Sequence, residues 1–230
     1  KLAGAGNDFI LVSSPPRSCL SQLARRLCSR RSGIGADGVL VLERGCPIRL
    51  RYFNADGSPA FCGNGVRCAA WWAQENGWTA KGAPFNIKTA AGILQARASS
   101  SRNGKMAVSM PSPRSPRLGM KLSIAGADYI VHSVDTGVPH AVVEVSGLPD
   151  FPVAQVGKAL RLHPAFAPKG TNADFVEPYK GMLRVRTFER GVEAETPACG
   201  TGAVASAAVG YWLGHLKPPA RLLTQSGEVL

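Results

Sequence analysis

Two short stretches of this 230-residue chain carry the residue types best suited to chemistry. Residues 62–65 read Cys-Gly-Asn-Gly, and residues 199–202 read Cys-Gly-Thr-Gly. Each follows a polar, turn-rich loop. Each is followed by small residues: Val66, Cys68, Ala69 and Ala70 in the first case, Ala203 to Ala208 in the second. The pattern predicts a cysteine at the opening of a helix. Glycines permit a tight turn and let a ligand approach backbone N–H groups closely. The first-turn amides and the positive end of the helix dipole then make a carboxylate site. The same field favours thiolate at the cysteine. A thiol of ordinary pKa is only about 3% ionised at pH 7, and each unit of lowering takes about 1.4 kcal/mol.

Alone, either cysteine reads equally well as a small core residue with glycines as packing points. Two matches at equivalent points of two halves favour chemistry. Set face to face, two such motifs hold one carboxylate between two helix N-termini, with a thiol on each side of the adjacent carbon. One sulfur removes a proton from one face and the other delivers a proton to the opposite face. A stereocentre is inverted without a cofactor. The obstacle is the very weak acidity of an amino-acid α-proton. Dense hydrogen bonding to the carboxylate stabilises the enolate-like charge as it develops, and a closed, dry site strengthens the effect. Cys68 falls inside the first helix and reads as core. Cys19, Cys28 and Cys46 have no functional context.

The elements needed to position these motifs are a mixture of α and β. Helical spacing and boundary residues predict helices over 19–31, 63–75, 154–161 and 200–213. Alternating apolar patterns predict strands over 48–53, 84–89, 92–98, 105–110, 128–133, 140–145, 173–177 and 182–188. Asn76-Gly77 is a stop signal for the second helix. Pro111-Ser-Pro-Arg-Ser-Pro116 breaks both helix and strand and marks the boundary between two domains, 1–115 and 116–230.

Composition narrows the rest. An apolar content of 45% supports a real core. The net charge of +12 comes from 27 basic and 15 acidic residues, a shortage of acids as much as an excess of bases. The densest basic patch, Arg25, Arg26, Arg30 and Arg31, lies with Leu20, Leu23, Ala24, Leu27 and Cys28 at helical spacing and reads as the solvated face of an amphipathic helix. No nucleic-acid-binding signature accompanies it. None of the six cysteines forms a C-x-x-C pair and no histidines have ligand spacing, so no metal is expected. Reduced thiols, a cytoplasmic location and no membrane segment are expected. Gly33-Ile-Gly-Ala-Asp-Gly38 matches a dinucleotide fingerprint, but a helix precedes it and an apolar strand follows, the reverse of the required order.

Several blocks in order resemble the diaminopimelate epimerase family. They are Gly4-Ala-Gly-Asn-Asp-Phe9, Gly33 to Gly38, Phe53-Asn-Ala-Asp-Gly-Ser58, Cys62-Gly-Asn-Gly-Val-Arg-Cys68, Gly137-Val-Pro-His140, Gly170-Thr-Asn172, Phe188-Glu-Arg-Gly191 and Ala198-Cys-Gly-Thr-Gly-Ala203. The resemblance spans nearly the whole chain. It implies an α/β (α+β) fold of two pseudo-symmetric domains, each a curved, mostly antiparallel sheet around a central helix. It implies interconversion of LL- and meso-2,6-diaminopimelate without pyridoxal phosphate, in lysine and peptidoglycan precursor synthesis. Cys62 and Cys199 match the acid/base pair. Gly63-Asn64 and Gly200-Thr201 match the carboxylate clamp. Asn7, Gly38, Asn54, Asn172, Glu189 and Arg190 match substrate-contact positions, with Arg190 suited to a bidentate grip on the distal carboxylate. Glu189 and His140 match positions that tune the thiols.

Val138 stands where many relatives carry a substrate-binding Asn, and Gly38 where some carry Gln. The family commonly continues beyond the point matched by Leu230, into a strand that supports a homodimer, so a homodimer is expected where that segment is present. Two other readings compete. One is a racemase of another amino acid, such as histidine, on the same fold. The remote one is a non-catalytic ligand-binding or nucleic-acid-binding protein.

Overall fold

The computed structural model describes residues 1–15, 19–99 and 105–230. The chain divides into two compact units, Lys1–Pro111 and Ser112–Leu230. The division falls inside the Pro111–Pro116 stretch.

The first unit contains β1 (Leu2–Gly4), β2 (Asn7–Val12), α1 (Leu20–Cys28), β3 (Gly38–Glu43), β4 (Ile48–Asn54), β5 (Pro59–Ala60), α2 (Gly63–Glu75), β6 (Phe85–Thr89), β7 (Gly92–Ala98) and β8 (Met106–Val108). The second contains β9 (Arg114–Ile124), β10 (Ala127–Asp135), β11 (Pro139–Glu144), α3 (Val153–Arg161), β12 (Asn172–Tyr179), β13 (Met182–Glu189), β14 (Ala194–Thr196), α4 (Gly200–Trp212) and β15 (Leu222–Leu223). Sheet order is β1-β2-β3-β4-β6-β7-β8 with β5 beside β4, and β14-β13-β12-β11-β10-β9 with β15 beside β13.

One plan underlies both units. In the first, β1 pairs antiparallel with β2, β2 parallel with β3, β3 antiparallel with β4, β4 antiparallel with β5 and parallel with β6. In the second, β10, β11, β12, β13, β14 and β15 repeat that series with the same directions. Helices α1 and α3 fill the crossovers between the parallel pairs. Helices α2 and α4 lead into the last strand of each repeat.

Side-chain alternation explains why each sheet has a helix on both faces. Residues Gly38 to Leu42 of β3 are all buried. Leu40 and Leu42 point toward α2, in a core with Phe9, Leu50, Val66, Ala69, Ala73 and Ile87. Val39 and Val41 point the other way, onto Ala24 and Cys28 of α1. In the second unit Val142 and Val176 meet Ala205 and Val209 of α4. Val143 and Phe175 meet Val156 and Leu160 of α3. Helix α4 is almost wholly small or apolar, the composition of a helix surrounded by protein.

Helices α2 and α4 agree at both ends. Each has 13 residues, opens on a cysteine N-cap in extended conformation and closes on a left-handed glycine, Gly77 or Gly214. At each C-terminus two amides fold back onto the last turn. Trp78 N–H reaches the Ala73 carbonyl at 2.8 Å and Gly77 N–H the Gln74 carbonyl at 3.2 Å. His215 and Gly214 repeat this on Gly210 and Tyr211 at 2.8 and 3.0 Å. The αL residue costs a glycine little and satisfies carbonyls the helix leaves orphaned.

Two expectations need correction. Helix α1 ends at Cys28 rather than near residue 31. The chain turns back over its C-terminus, so that Gly35 and Ala36 donate to the Leu27 and Cys28 carbonyls, and a side chain at Gly33 would meet the Leu27 carbonyl at 2.7 Å. The Pro-rich stretch does not exclude a strand either, since β9 starts at Arg114 and runs through Pro116. Among the described residues β9 is an edge strand paired with β10 alone, and its pairing slips near Ser133 and Asp135. An edge with such irregularities tolerates a residue that lacks an N–H.

Candidate active site

Cys62 and Cys199 occupy matching positions. Each is the N-cap of its helix, and each sulfur accepts from the amide three residues on, Gly65 N–H at 3.5 Å and Gly202 N–H at 3.4 Å. The intrahelical ladder begins one residue later, with Val66 donating to the Cys62 carbonyl and Ala203 to the Cys199 carbonyl. The N–H groups of Gly63-Asn64 and Gly200-Thr201 therefore lie in first turns, where no intrahelical acceptor exists. Gly65 and Gly202 keep this turn close to the sheet. An added Cβ at Gly65 would meet Leu40 Cδ2 at 2.8 Å, and one at Gly202 would run into the Asp174 carboxylate. All six cysteines are thiols.

The surroundings of the two sulfurs differ in chemistry. In the first unit the neighbours are amides. Asn7 Nδ2 donates to Asp37 Oδ2 at 3.1 Å, which leaves Asn7 Oδ1 to accept from Asn64 Nδ2 at 2.8 Å. Asn64 Oδ1 in turn accepts from Arg67. Asp37 is gripped by Arg30 and by the Asp8 backbone N–H. Arg30 and Lys1 also bind Asp8 and hold its carboxyl well below the usual carboxylate range. Arg30 of the basic patch thus serves as a strut at the surface. Asn54 ends β4 and donates to Ser58 Oγ at 3.0 Å across a turn that Asp56 and Gly57 close.

In the second unit the neighbours are a histidine, a carboxylate and hydroxyls. His140, fully buried at the start of β11, lies 2.6 Å through Nδ1 from Asp174 Oδ2 and 2.9 Å through Nε2 from Thr201 Oγ1. Thr201 Oγ1 is 3.3 Å from Cys199 Sγ. Asp174 is also fully buried and accepts from Thr187 Oγ1 at 2.8 Å. Asn172 bridges its neighbours, accepting from Arg190 N–H at 2.8 Å and donating to the Pro139 carbonyl at 3.0 Å. Arg190 places Nη1 3.4 Å from the Lys169 and Gly170 carbonyls. Burial, then the charge of Arg161, lowers its pKa, so an anion would be a welcome partner. Glu189 ends β13, the same place in its repeat that Asn54 holds at the end of β4.

Cys199 corrects one expectation. The helix N-terminus was expected to favour thiolate. The Gly202 N–H and Thr201 do pull the pKa down, but burial outweighs them, and the charges of Glu189 and Asp174 add to burial. The Cys199 pKa stands well above the ordinary thiol value. Burial also pushes Cys68 up, to about 11, as befits a core thiol. Gly38 has no side chain to offer a ligand, and the Tyr52 hydroxyl lies 2.7 Å from where its Cβ would be.

Sequence reading missed Asp37, Arg67, Thr136, Asp174 and Thr187. Asp174 alone had a visible signal, an acid inside the otherwise apolar run Ala173 to Val176. Such a residue requires a buried partner. Thr136, which donates to the Thr201 carbonyl at 3.1 Å, had no sequence signal.

The fold is shared with solved structures of distant sequence. A probable proline racemase from Agrobacterium radiobacter K84 superposes with a TM-score of 0.77 at 18% identity, over 98% of this chain and 81% of that one. A phenazine biosynthesis protein of the PhzF family from Bacillus anthracis gives 0.72 at 17% identity, over 97% and 82%. Within that architecture the sequence is specific. The family model for diaminopimelate epimerase matches residues 1–114 and 132–230. The diaminopimelate epimerases of Aquifex aeolicus and Methanothrix thermoacetophila are 40% and 43% identical to all of this chain, which spans 87% and 86% of their lengths. The chain belongs to the diaminopimelate epimerase family.

Proposed function

We propose that Cys62 and Cys199 are the acid/base pair through which this isomerase interconverts LL- and meso-2,6-diaminopimelate. The carrying observation is the duplication itself: two helices of equal length, each opening on a cysteine whose sulfur accepts the amide three residues on. The first-turn amides of Gly63-Asn64 and Gly200-Thr201 bind the α-carboxylate of the reacting centre. They strengthen their hold as negative charge spreads into it during proton removal. One cysteine, as thiolate, removes the α-proton. The other, as thiol, returns a proton to the opposite face. The first ends as thiol and the second as thiolate, which is the starting state of the reverse reaction.

The remaining contacts select the substrate. Arg190, already desolvated, takes the distal carboxylate. Asn7, Asn54, Asn64 and Asn172 supply fixed amides, and Glu189 takes an ammonium group. Gly38 contributes backbone and space rather than a side chain. His140 acts on Cys199 through Thr201. Asn7 and Asn172 are oriented by partners that can play only one hydrogen-bonding role: a carboxylate for Asn7, a backbone N–H and a carbonyl for Asn172. Preorganised donors of this kind cost little reorganisation when charge develops. The same reading expects a cytoplasmic enzyme, and a homodimer where the family's C-terminal segment is present. Among the described residues no helix is long and apolar enough to cross a membrane.

The test is substrate choice. Reduced protein is incubated separately with LL-diaminopimelate, L-histidine and L-proline, and each product's stereochemistry is read by chiral chromatography. Epimerisation of diaminopimelate alone is expected. Turnover of histidine or proline instead would keep the two-thiol chemistry and overturn the substrate.

A further inference from the structure

We propose that Asp174, His140 and Thr201 form a buried proton relay that loads and unloads Cys199, with Asp174 as the positioning residue that fixes its direction. This rests on Cys199 acting as an acid/base in the reaction proposed above.

One arrangement of protons keeps His140 neutral and Asp174 ionised. Asn172 accepts from Arg190 N–H and donates to the Pro139 carbonyl, two backbone groups with one role each. Its amino group is therefore the end that lies 3.5 Å from His140 Nε2. In that arrangement Nε2 holds a lone pair toward the Asn172 amino group and the Thr201 hydroxyl. Nδ1 carries the ring proton and gives it to Asp174 Oδ2, 2.6 Å away. Thr201 has a single hydroxyl proton. Donated to Nε2, it leaves only lone pairs toward Cys199 Sγ, so the S–H points at Thr201.

A second arrangement uses the same heavy-atom positions. The S–H proton passes to Thr201 Oγ1 while the hydroxyl proton passes to His140 Nε2. The S–H and O–H bonds break, and a new O–H and an N–H form. The products are a thiolate, accepting from Thr201 and the Gly202 amide, and an imidazolium held by Asp174. The net charge of the cluster is −1 before and after. Loss of the proton to solvent would instead add a negative charge beside those of Asp174 and Glu189, in a region where His140 and Asp174 are wholly buried. Coulomb repulsion is least screened there. The relay therefore lets Cys199 serve as base without raising the buried charge. Asp174 sets the direction because its carboxylate can only accept, which keeps the proton on Nδ1 and stabilises the imidazolium. At the matching positions of the first unit Asn64 and Asn7 present amides, which do not relay protons at neutral pH.

The test compares Thr201→Val, which removes the hydroxyl but keeps the backbone amide, with Thr201→Ser, which restores it. Thr201→Val is expected to lower kcat on the order of 10²-fold in the direction that needs Cys199 as base, with KM within about twofold, and Thr201→Ser to stay within about threefold of wild type. Asp174→Asn is expected to lower kcat similarly. Alongside, long-range ¹H–¹⁵N spectra of the histidine-labelled wild type should show His140 as the Nδ1–H tautomer. An Nε2–H tautomer, or a Thr201→Val enzyme with wild-type kcat, would overturn the relay. If the wild type turns over no diaminopimelate, the epimerase reading fails, and the tautomer still decides the relay without reference to activity.

Discussion

The two units share one plan and differ in what stands behind the cysteine. Behind Cys62 are Asn64, Asn7 and Asp37, a string of amides anchored on a carboxylate that Arg30 already neutralises. Behind Cys199 are Thr201, His140 and Asp174, groups that move protons, anchored on a carboxylate with no access to solvent. The residue two after each cysteine is in both cases held by a side chain from the first or second position of a matching strand, Asn7 of β2 or His140 of β11. Duplication preserved the geometry, while the ionisable chemistry is concentrated in one half. A two-sided proton transfer needs two sulfurs in equivalent places. It does not need them in equivalent environments.

That contrast is open to direct attack, and the largest effect is expected from the anchors. His140→Ala strands the Asp174 carboxylate without its main partner, so a loss of about 3–5 kcal/mol in urea unfolding is expected. Asn7→Ala leaves Asp37 with Arg30 and the Asp8 amide, and about 1 kcal/mol is expected. Equal losses would mean the two halves are anchored alike.

The glycines three residues after each cysteine give a smaller contrast. Gly202→Ala drives a methyl group into the Asp174 carboxylate, and about 3 kcal/mol of destabilisation is expected at that end of the overpacking range. Gly65→Ala meets only a Leu40 methyl at 2.8 Å, the end of a flexible side chain, and about 1 kcal/mol is expected. Urea midpoints of the two variants decide the order.

The smallest effect is one of pH. Cys199 binds its proton more tightly in the folded state than in the unfolded chain. That contribution is present in full below the ordinary thiol value of 9.0 and is lost as pH rises through the folded value. Cys68 acts in the same sense, with its loss falling between about 9 and about 11. Stability should fall as pH climbs above 9, and Cys199→Ser should lose less over that range than the wild type. An unchanged slope would show that the folded environment does not raise this thiol.

Much of this was legible in the sequence because it is written in local patterns. Small residues after Cys-Gly-x-Gly placed α2 at 63–75 and α4 within a residue of its end. The alternation in 48–53 and 182–188 placed β4 and β13. What stayed hidden is non-local. The Gly33 turn over α1 depends on carbonyls of the helix it caps. Pro116 is acceptable only because β9 is an edge. The effect of burial on Cys199 depends on sheet residues brought together from β11, β12 and β13. Asp174 is 25 residues from Cys199 in sequence yet touches the first turn of α4, and spacing alone carries no trace of that contact.

The most direct measurement is the fate of deuterium. LL-diaminopimelate is turned over in D₂O by the wild type, by Cys62→Ala and by Cys199→Ala, and the α-protons of substrate and product are followed by NMR. The two-thiol reading predicts that the first meso product carries deuterium while the remaining substrate stays protiated. Either substitution should abolish epimerisation, by on the order of 10³-fold or more. Full epimerisation by a chain lacking either cysteine would contradict the two-thiol reading at its root.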